Sequence, residues 1–212
     1  RSRGILRLKH LREVTEAKGE EMAEQRERFQ RLAREDSAPR VVSSHNLFQT
    51  PPELAARLVA LASDGRGLGR ILEPSAGLGR IYNAVRAVDR AAPVVLVDVS
   101  PECAGELYRA TEGDGAAELV VADFLTIGTD RLGRFDTVVM NPPFRMGTDI
   151  KHIRRAAGLL RLGGRLVSLC AAGPKQRRAF DGAAGVRWID LPAGTFKSEG
   201  TGVESAIVVI DS

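Results

Sequence analysis

From about residue 50 onward, short apolar runs alternate with segments in which apolar residues recur at helical spacing. The apolar runs predict seven buried strands. The first ends at Ile71-Leu72, and the other six comprise Val94–Val97, Glu118–Val121, Phe135–Met140, Arg165–Cys170, Trp188–Leu191 and Ala206–Ile210. The segments between them predict helices that begin after Thr50-Pro51-Pro52, at Gly79 and at Pro101, and a fourth helix that Thr148 or Asp149 caps. The last of these helices is expected to run to about Leu162. Such alternation predicts an α/β fold, with a seven-stranded, mainly parallel sheet and helices on both faces.

The first 40 residues do not follow this alternation, because charged side chains dominate them. Residues 5–36 predict one helix, but its heptad pattern is too irregular for a coiled coil, and Gly19 weakens it further. Two interpretations stay open: a solvated helix that lies on the domain or leads to further sequence, and an arm for a homodimer, a fusion partner or nucleic acid. Residues 37–47 predict a linker. The chain therefore divides into an extension at 1–40 and a domain at 46–212.

The net charge of +4 is unevenly distributed along the chain. Residues 41–144 carry 9 Lys and Arg against 13 Asp and Glu, whereas residues 145–212 carry 11 against 6. A basic segment attracts a phosphate backbone, although ordinary surface charge accounts for the same excess. The charge alone therefore favours a nucleic-acid partner only modestly.

Several classes of protein are excluded by simple counts. Two cysteines are too few for a disulfide framework and indicate reduced core thiols in a cytoplasmic protein. No apolar run reaches the roughly 18 residues of a membrane span, so we expect no membrane association. The three histidines do not combine with the cysteines into a ligand set, and we predict no metal.

The first candidate ligand-binding motif is the turn after the first predicted strand. Its sequence is Glu73-Pro74-Ser75-Ala76-Gly77-Leu78-Gly79. Glycines at such a turn let a ligand approach the backbone closely. Asp98 ends the next strand and Asp123-Phe124 follows the third, where carboxylates can accept hydrogen bonds from ribose hydroxyls and from an adenine amino group, while Phe124 offers an aromatic face. The third glycine of a dinucleotide fingerprint is absent. These features favour an adenosine ligand without a pyrophosphate.

The most specific motif is Asn141-Pro142-Pro143-Phe144, directly after the fourth predicted strand. Two consecutive prolines remove two amide donors, so the Asn141 side-chain oxygen and the Pro142 carbonyl dominate this turn as acceptors. Two acceptors can hold the two N–H groups of a planar exocyclic amine and free its lone pair, while Phe144 supplies a flat apolar face. The motif therefore predicts methylation of an exocyclic amino nitrogen without a strong general base.

This set of motifs resembles the N6-adenine DNA methyltransferases of the gamma arrangement, in which the cofactor motifs precede the catalytic one. The resemblance covers roughly residues 46–210 and implies a Rossmann-like, class I methyltransferase with S-adenosylmethionine as its cofactor. It implies that the cofactor is bound by Thr50, Glu73, Ser75, Gly77, Gly79, Asp98, Val99, Asp123, Phe124, Asn141 and Pro143. Thr50 is then expected near the methionine end of the cofactor and Glu73 near its amino group. Asn141, Pro142 and Phe144 are implied as catalytic, with Phe144 in place of the commoner Tyr that stacks on a flipped base.

The chain also departs from that family, because only 68 residues follow Phe144 and no target-recognition domain is evident. In this respect it resembles the standalone methylases of phages and mobile elements. Lys151 and Arg154, on the helix after the catalytic motif, and Lys175 are expected to contact phosphates of the acceptor. Phe196 is expected to lie in a mobile loop and to supply a second ring that stacks on the target base.

Adenine N6 in DNA is the leading acceptor among those that the motifs allow. An RNA adenine or guanine, or a protein glutamine, would need the same chemistry, and Phe144 in place of Tyr also occurs in RNA guanine-N2 methyltransferases. A scaffold that binds S-adenosylmethionine without catalysis is the alternative of a different class.

Overall fold

Strands and helices alternate through residues 49–212, which are the residues that the computed structural model describes. The strands are β1 (Ile71–Glu73), β2 (Val94–Asp98), β3 (Ala117–Val121), β4 (Phe135–Met140), β5 (Leu160–Ala171), β6 (Val186–Asp190) and β7 (Ser205–Asp211). The helices are α1 (Pro52–Ser63), α2 (Arg80–Val88), α3 (Pro101–Thr111), α4 (Thr129–Leu132), α5 (Thr148–Ala157) and α6 (Pro174–Phe180). The helix predicted over 5–36, its proposed role as an arm and the linker at 37–47 lie outside the described residues.

The seven strands form one sheet in the order β3-β2-β1-β4-β5-β7-β6. Strands β1 to β5 pair in parallel, and β7 runs antiparallel to both of its neighbours, β5 and β6. The prediction of a seven-stranded, mainly parallel sheet is thus confirmed. The chain winds from β1 to β3 on one side of the sheet and then returns to β4 on the other side of β1. Ligands of open α/β sheets bind at such a switch point.

Both faces of the sheet are buried, as the near-continuous apolar runs of the strands require. Successive side chains of a strand point to opposite faces, so Ile71 and Val139 join one core cluster while Leu72 and Val138 join the other. Helices α1 to α3 cover the first face, and α4 to α6 cover the second. Each fully buried Leu, Ile or Val stabilises the fold by about 1.5–3 kcal/mol relative to an exposed one.

The predicted end of the helix that follows the catalytic motif is wrong. Helix α5 ends at Ala157 instead of about Leu162, because Leu160 pairs with Phe135 as the first residue of β5. At Gly164 the two strands come so close that a Cβ atom would lie 3.0 Å from the Asp136 carbonyl oxygen. Leu162 lies between these points and is 99% exposed, which shows that the leucine spacing here does not mark a buried helical face.

The start of α5 corrects a second expectation. Gly147 precedes the helix as its N-cap, and Asp149 lies inside the first turn with its side chain fully buried. Its carboxylate accepts hydrogen bonds from the Ala171 amide at 3.1 Å and from the Gln176 side chain at 3.0 Å. Asp149 therefore connects α5 to β5 and α6 and does not cap the helix.

Two short helices, α4 and α6, were not predicted from the sequence. Four residues of α4 are too few to show helical spacing, and the polar segment Pro174–Phe180 buries only Gln176 and Phe180. The two cysteines are free and buried, and burial raises the pKa of the Cys103 thiol to about 11. No helix within residues 49–212 is long and apolar enough to cross a membrane.

Candidate active site

A cleft of about 280 Å³ opens at the carboxyl ends of β1, β2, β3 and β4. Its walls include twelve residues that the sequence predicts as cofactor-binding or catalytic, namely Thr50, Glu73, Ser75, Gly77, Asp98, Val99, Asp123, Phe124, Asn141, Pro142, Pro143 and Phe144. These residues come from separate segments of the chain. The strand order β3-β2-β1-β4 brings the segments together, because the carboxyl ends of parallel strands meet at one edge of the sheet.

The glycine-rich turn between β1 and α2 forms the floor of the cleft. Gly77 and Gly79 have φ angles of 54° and 77°, a region in which side chains with a Cβ atom are strained. The amide of Gly77 donates to the Asp98 carboxylate at 2.7 Å, which ties the turn to the end of β2. Gly79 is the N-cap of α2 and lies outside the cleft lining, and its contact with the cofactor stays a prediction.

Glu73 is the most unusual polar group in the cleft. Its side chain is 2% exposed, and its Oε2 atom is buried without a hydrogen-bond partner in the structure. Burial, together with the nearby Asp98 carboxylate, raises the pKa of Glu73 well above its usual range, and a hydrogen bond from the Tyr82 backbone opposes this shift. A buried carboxylate oxygen of this kind is a strong acceptor for a cationic donor that enters the cleft.

The next two carboxylates along the cleft are already engaged with backbone amides. Asp98 accepts from Gly77 and, at 2.8 Å, from Ser100, and burial raises its pKa. The exposed Asp123 accepts from the Leu125 amide at 2.8 Å. Each carboxylate oxygen has two lone pairs, so both groups keep capacity to accept from a ligand. Between them Val99 is 65% exposed and presents an apolar side chain to the cleft.

Phe124 does not offer the open aromatic face that the sequence suggested. The side chain is 2% exposed, the His152 ring lies 5.7 Å from its ring, and the Arg155 guanidinium lies 5.3 Å away. His152 is itself buried, with Nδ1 2.9 Å from the Thr148 carbonyl oxygen, and burial lowers its pKa. Phe124 and His152 therefore form a packed wall at this end of the cleft.

The motif Asn141–Phe144 forms the opposite wall. The Asn141 side-chain amide donates from Nδ2 to the Thr50 hydroxyl at 3.1 Å, which fixes the orientation of the amide plane. Thr50 is 4% exposed and lies 91 positions earlier in the chain, at the start of α1. Pro142 is buried, and Phe144 is half-buried against the cleft. This hydrogen bond thus ties the turn to the start of α1, and its role as a pair of acceptors for the target amine stays a prediction.

The four residues predicted to contact the acceptor do not line the cleft. Lys151, Arg154 and Lys175 are exposed on α5 and α6. Phe196 is 1% exposed, and it packs edge-to-face against Phe144 with ring centroids 6.4 Å apart. Its predicted role as a second, mobile stacking ring is therefore wrong, because a ring in the core supports Phe144 from behind and has no free face.

Four polar residues line the cleft but are not among the residues that the sequence predicts as cofactor-binding or catalytic: Gln49, Arg80, Ser100 and His152. Arg80 follows the glycine-rich turn directly, and Ser100 follows Asp98 and Val99, so proximity to the motifs could have indicated both. His152 lies one helical turn beyond Thr148, and its place at the cleft depends on the packing of α5. Within residues 49–212, no group of three or more His, Cys, Asp or Glu side chains is arranged to hold a metal ion.

A family model described as "Methyltransferase small domain" matches residues 43–182, which include the whole cleft lining. The chain belongs to this family of methyltransferases. No curated protein matches the sequence. The motif order, the sheet topology and the family agree on a class I, Rossmann-like methyltransferase.

Solved structures with the same fold come from several methyltransferases. TrmN from Thermus thermophilus is 24% identical with a TM-score of 0.61, and the match covers 76% of this chain and 48% of TrmN. The methyltransferase thus spans about half the length of TrmN. PH1948 from Pyrococcus horikoshii, described as a putative RNA methyltransferase, is 20% identical with a TM-score of 0.62, over 87% of this chain and 98% of PH1948. The 23S rRNA methyltransferase ErmE is 20% identical with a TM-score of 0.58, over 78% and 69% of the two chains.

S-adenosylmethionine is the cofactor of this methyltransferase, and the cleft suits its chemistry. The partnerless Oε2 atom of Glu73 matches the cofactor's ammonium group, and the exposed Val99 side chain matches the apolar face of its adenine ring. Asp98 would hold the ribose hydroxyls and Asp123 the adenine amino group. The cofactor supplies a methyl group bound to a positively charged sulfur, and an acidic cleft favours that charge.

Burial of Glu73 predicts a pH dependence of stability. We expect the Glu73→Gln variant without cofactor to gain melting temperature relative to wild type as the pH rises above about 4.5, the ordinary pKa of this group. The folded-state pKa is raised, so the contribution of Glu73 to stability is fully present below the unfolded pKa and is lost as the pH rises through the folded pKa. Asp98, the half-buried acid beside it, is present in both proteins. A difference in melting temperature between the variant and the wild type that stays constant from about pH 4 to 8 would refute the expectation.

The same residue predicts a proton release on cofactor binding. An ammonium group beside Glu73 favours the ionised carboxylate, so binding should expel the proton that burial retains. Calorimetry in two buffers with different ionisation enthalpies measures this release directly. The Glu73→Gln variant should bind more weakly and release no proton through this group.

Proposed function

We propose that this methyltransferase transfers the methyl group to an exocyclic amino nitrogen of a nucleobase, with adenine N6 in DNA as the first candidate acceptor. The observation that carries the proposal is the arrangement of Asn141-Pro142-Pro143-Phe144 along the wall of the cofactor cleft. This turn combines the side-chain carbonyl of Asn141 and the backbone carbonyl of Pro142 with the aromatic ring of Phe144, and all three residues line the cleft.

The two acceptors would bind the two N–H groups of the incoming amine. By accepting from these N–H groups, the Asn141 Oδ1 atom and the Pro142 carbonyl oxygen would draw the nitrogen toward tetrahedral geometry, which takes its lone pair out of conjugation with the ring and makes it available. The cofactor would supply the methyl group, which forms the new N–C bond with this lone pair, and the electron pair of the broken S–C bond would stay on sulfur. The product nitrogen then releases one proton to solvent. Positioning and electrostatics supply most of the rate enhancement in this scheme.

Thr50 and Phe196 would make this arrangement rigid. The hydrogen bond between Asn141 Nδ2 and the Thr50 hydroxyl sets the direction in which the Asn141 carbonyl points. Phe196 packs edge-on against Phe144, so that the Phe144 ring keeps a fixed orientation for stacking on a base. Preorganisation of this kind avoids reorganisation when the amine becomes charged.

The surface beside the cleft supports a macromolecular acceptor. Arg145 and Met146 follow Phe144 directly, both are exposed, and Met146 is 88% exposed with a φ angle of 55° that is unusual for a residue with a side chain. Exposed Lys151, Arg154 and Lys175 add positive charge on α5 and α6. Apolar side chains that enter a base stack and cations that contact phosphates are common in proteins that extrude a base.

An RNA purine is the second candidate acceptor, and the solved structures favour it. PH1948 is described as a putative RNA methyltransferase and ErmE as a 23S rRNA methyltransferase, and both share this fold at 20% identity. The chemistry at Asn141 is the same for an amino group in either polymer. The choice between DNA and RNA therefore rests on the surface around the cleft.

A labelling experiment separates the two acceptors. Purified protein is incubated with methyl-labelled S-adenosylmethionine and either unmethylated DNA or an unmodified RNA of matched sequence, and label in the polymer is counted. We expect label in DNA with the wild type and none with Asn141→Ala. Label in RNA alone would overturn the DNA assignment and keep the nucleobase, whereas label in neither polymer would overturn the nucleobase proposal.

A further inference from the structure

The cofactor cleft has an uneven distribution of charge. Its lining includes the carboxylates of Glu73, Asp98 and Asp123, and Arg80 is the one Lys or Arg side chain among the described lining residues. S-adenosylmethionine carries an ammonium group, a positively charged sulfur and a carboxylate. Glu73 suits the ammonium group, the acidic lining as a whole favours the charged sulfur, and the cofactor carboxylate needs a cationic donor in the same cleft.

Arg80 is held at the mouth of the cleft by a neighbouring lining residue. Its Nε atom donates to the Gln49 side-chain oxygen at 2.9 Å. A guanidinium group has five N–H donors in a planar fork, and this contact uses one of them. The Gln49 contact therefore orients the fork while its other donors are suited to a planar anion.

The position of Glu73 locates the cofactor carboxylate independently. Glu73 and Arg80 line the same cleft, and the Tyr82 backbone lies near enough to the Glu73 carboxylate to oppose the rise of its pKa, so this carboxylate lies near the first turn of α2, which Arg80 begins. The partnerless Oε2 atom of Glu73 marks the place of the cofactor ammonium group. Ammonium and carboxylate are attached to the same carbon atom of the cofactor, so the carboxylate must also lie near the start of α2.

We infer that Arg80 binds the carboxylate of the cofactor's methionine group. The nine-residue helix α2 adds a favourable dipole, since its N-terminus carries partial positive charge at this point. Arg80 and Glu73 then recognise the two charged groups of the amino-acid end as a pair. This assignment concerns cofactor binding alone, and it holds whichever acceptor the methyltransferase uses.

The test compares two cofactors that differ only in this carboxylate. Affinities of S-adenosylmethionine and of decarboxylated S-adenosylmethionine are measured by calorimetry for the wild type, Arg80→Ala and Arg80→Lys. We expect Arg80→Ala to weaken binding of S-adenosylmethionine roughly 10- to 100-fold, the effect of losing a charge-assisted pair. Binding of the decarboxylated compound should change by less than about twofold, and Arg80→Lys should fall between the wild type and Arg80→Ala.

The control is Arg90→Ala, which removes an exposed positive charge just beyond the other end of α2 and should leave both affinities unchanged. Melting temperatures without cofactor report whether each variant folds, and Arg80→Gln serves as a second substitution that keeps a polar side chain and removes the charge. Equal weakening of both compounds would overturn the assignment, because it would indicate a general effect on the cleft. Unchanged affinity for S-adenosylmethionine would overturn it as well.

Discussion

Replacement of Asn141 by alanine is expected to lower the rate constant for methyl transfer at least 100-fold while leaving cofactor affinity within a few-fold of wild type. The Asn141 side chain supplies one of two acceptors for the target amine, and removal of one preorganised polar group at a reacting centre typically costs about 10²–10³ in rate. Single-turnover transfer of labelled methyl groups measures the rate, and calorimetry measures the cofactor affinity. The large effect should appear at saturating acceptor, since the contact strengthens as the amine becomes tetrahedral.

A matched substitution separates this effect from general damage to the protein. Asn83 is an exposed asparagine on α2 that does not line the cleft, and Asn83→Ala should keep the wild-type rate. Thr50→Ala, which removes the partner of the Asn141 amide, should give an intermediate loss. A rate for Asn141→Ala within about threefold of wild type would contradict the role given to this residue.

The second large effect is expected at Asp98. Asp98→Ala should weaken S-adenosylmethionine binding at least 100-fold and abolish the rise in melting temperature that the cofactor gives the wild type. The substitution removes a charged acceptor for the ribose hydroxyls, where each hydrogen bond to a charged group contributes about 1.5–3 kcal/mol. It also releases the Gly77 and Ser100 amides, which hold the glycine-rich turn against β2.

Asp89 provides an unusually close control for this prediction. Its carboxylate also accepts from two backbone amides, those of Ala91 at 2.9 Å and Ala92 at 3.0 Å, but it lies outside the cleft. Asp89→Ala should lower stability to a similar degree and leave the cofactor-induced rise in melting temperature intact. A full thermal shift in Asp98→Ala at millimolar cofactor would refute the assignment of the cleft.

Sequence patterns predicted the sheet and the cleft well for a common physical reason. Strands such as Phe135–Met140 are buried on both faces and therefore carry unbroken apolar runs, which fixes their position along the chain. Residues that follow such strands meet at one edge of a parallel sheet, so the order of the strands and motifs was enough to place Glu73, Asp98 and Asn141 together.

Features that depend on tertiary packing could not be predicted in the same way. The leucines at 159, 160 and 162 have a spacing compatible with a helix, and the pairing of Leu160 with Phe135 decides in favour of a strand. Asp149 resembles a helix cap in sequence, yet its partners Ala171 and Gln176 lie more than twenty positions away. Local sequence carries no information about such partners.

Phe196 illustrates a different limit. A phenylalanine between glycine, serine and threonine residues suggests an exposed ring in a mobile loop, and hydrophobicity alone cannot distinguish this from a ring in the core. In the structure Phe196 packs with Leu58 and Val167 in one core cluster and contacts Phe144 from there. Its effect on catalysis is thus expected through the orientation of Phe144.

The most direct test of the proposed chemistry is the location of the transferred carbon atom. The methyltransferase is incubated with S-adenosylmethionine labelled with carbon-13 in the methyl group and with the polymer that accepts label. The product is digested to nucleosides, and the labelled carbon is located by mass spectrometry and nuclear magnetic resonance. The predicted result is a labelled methyl group on an exocyclic amino nitrogen, with adenine N6 as the first candidate. Label on a ring nitrogen, a carbon atom or a ribose hydroxyl would contradict the role of Asn141-Pro142-Pro143-Phe144.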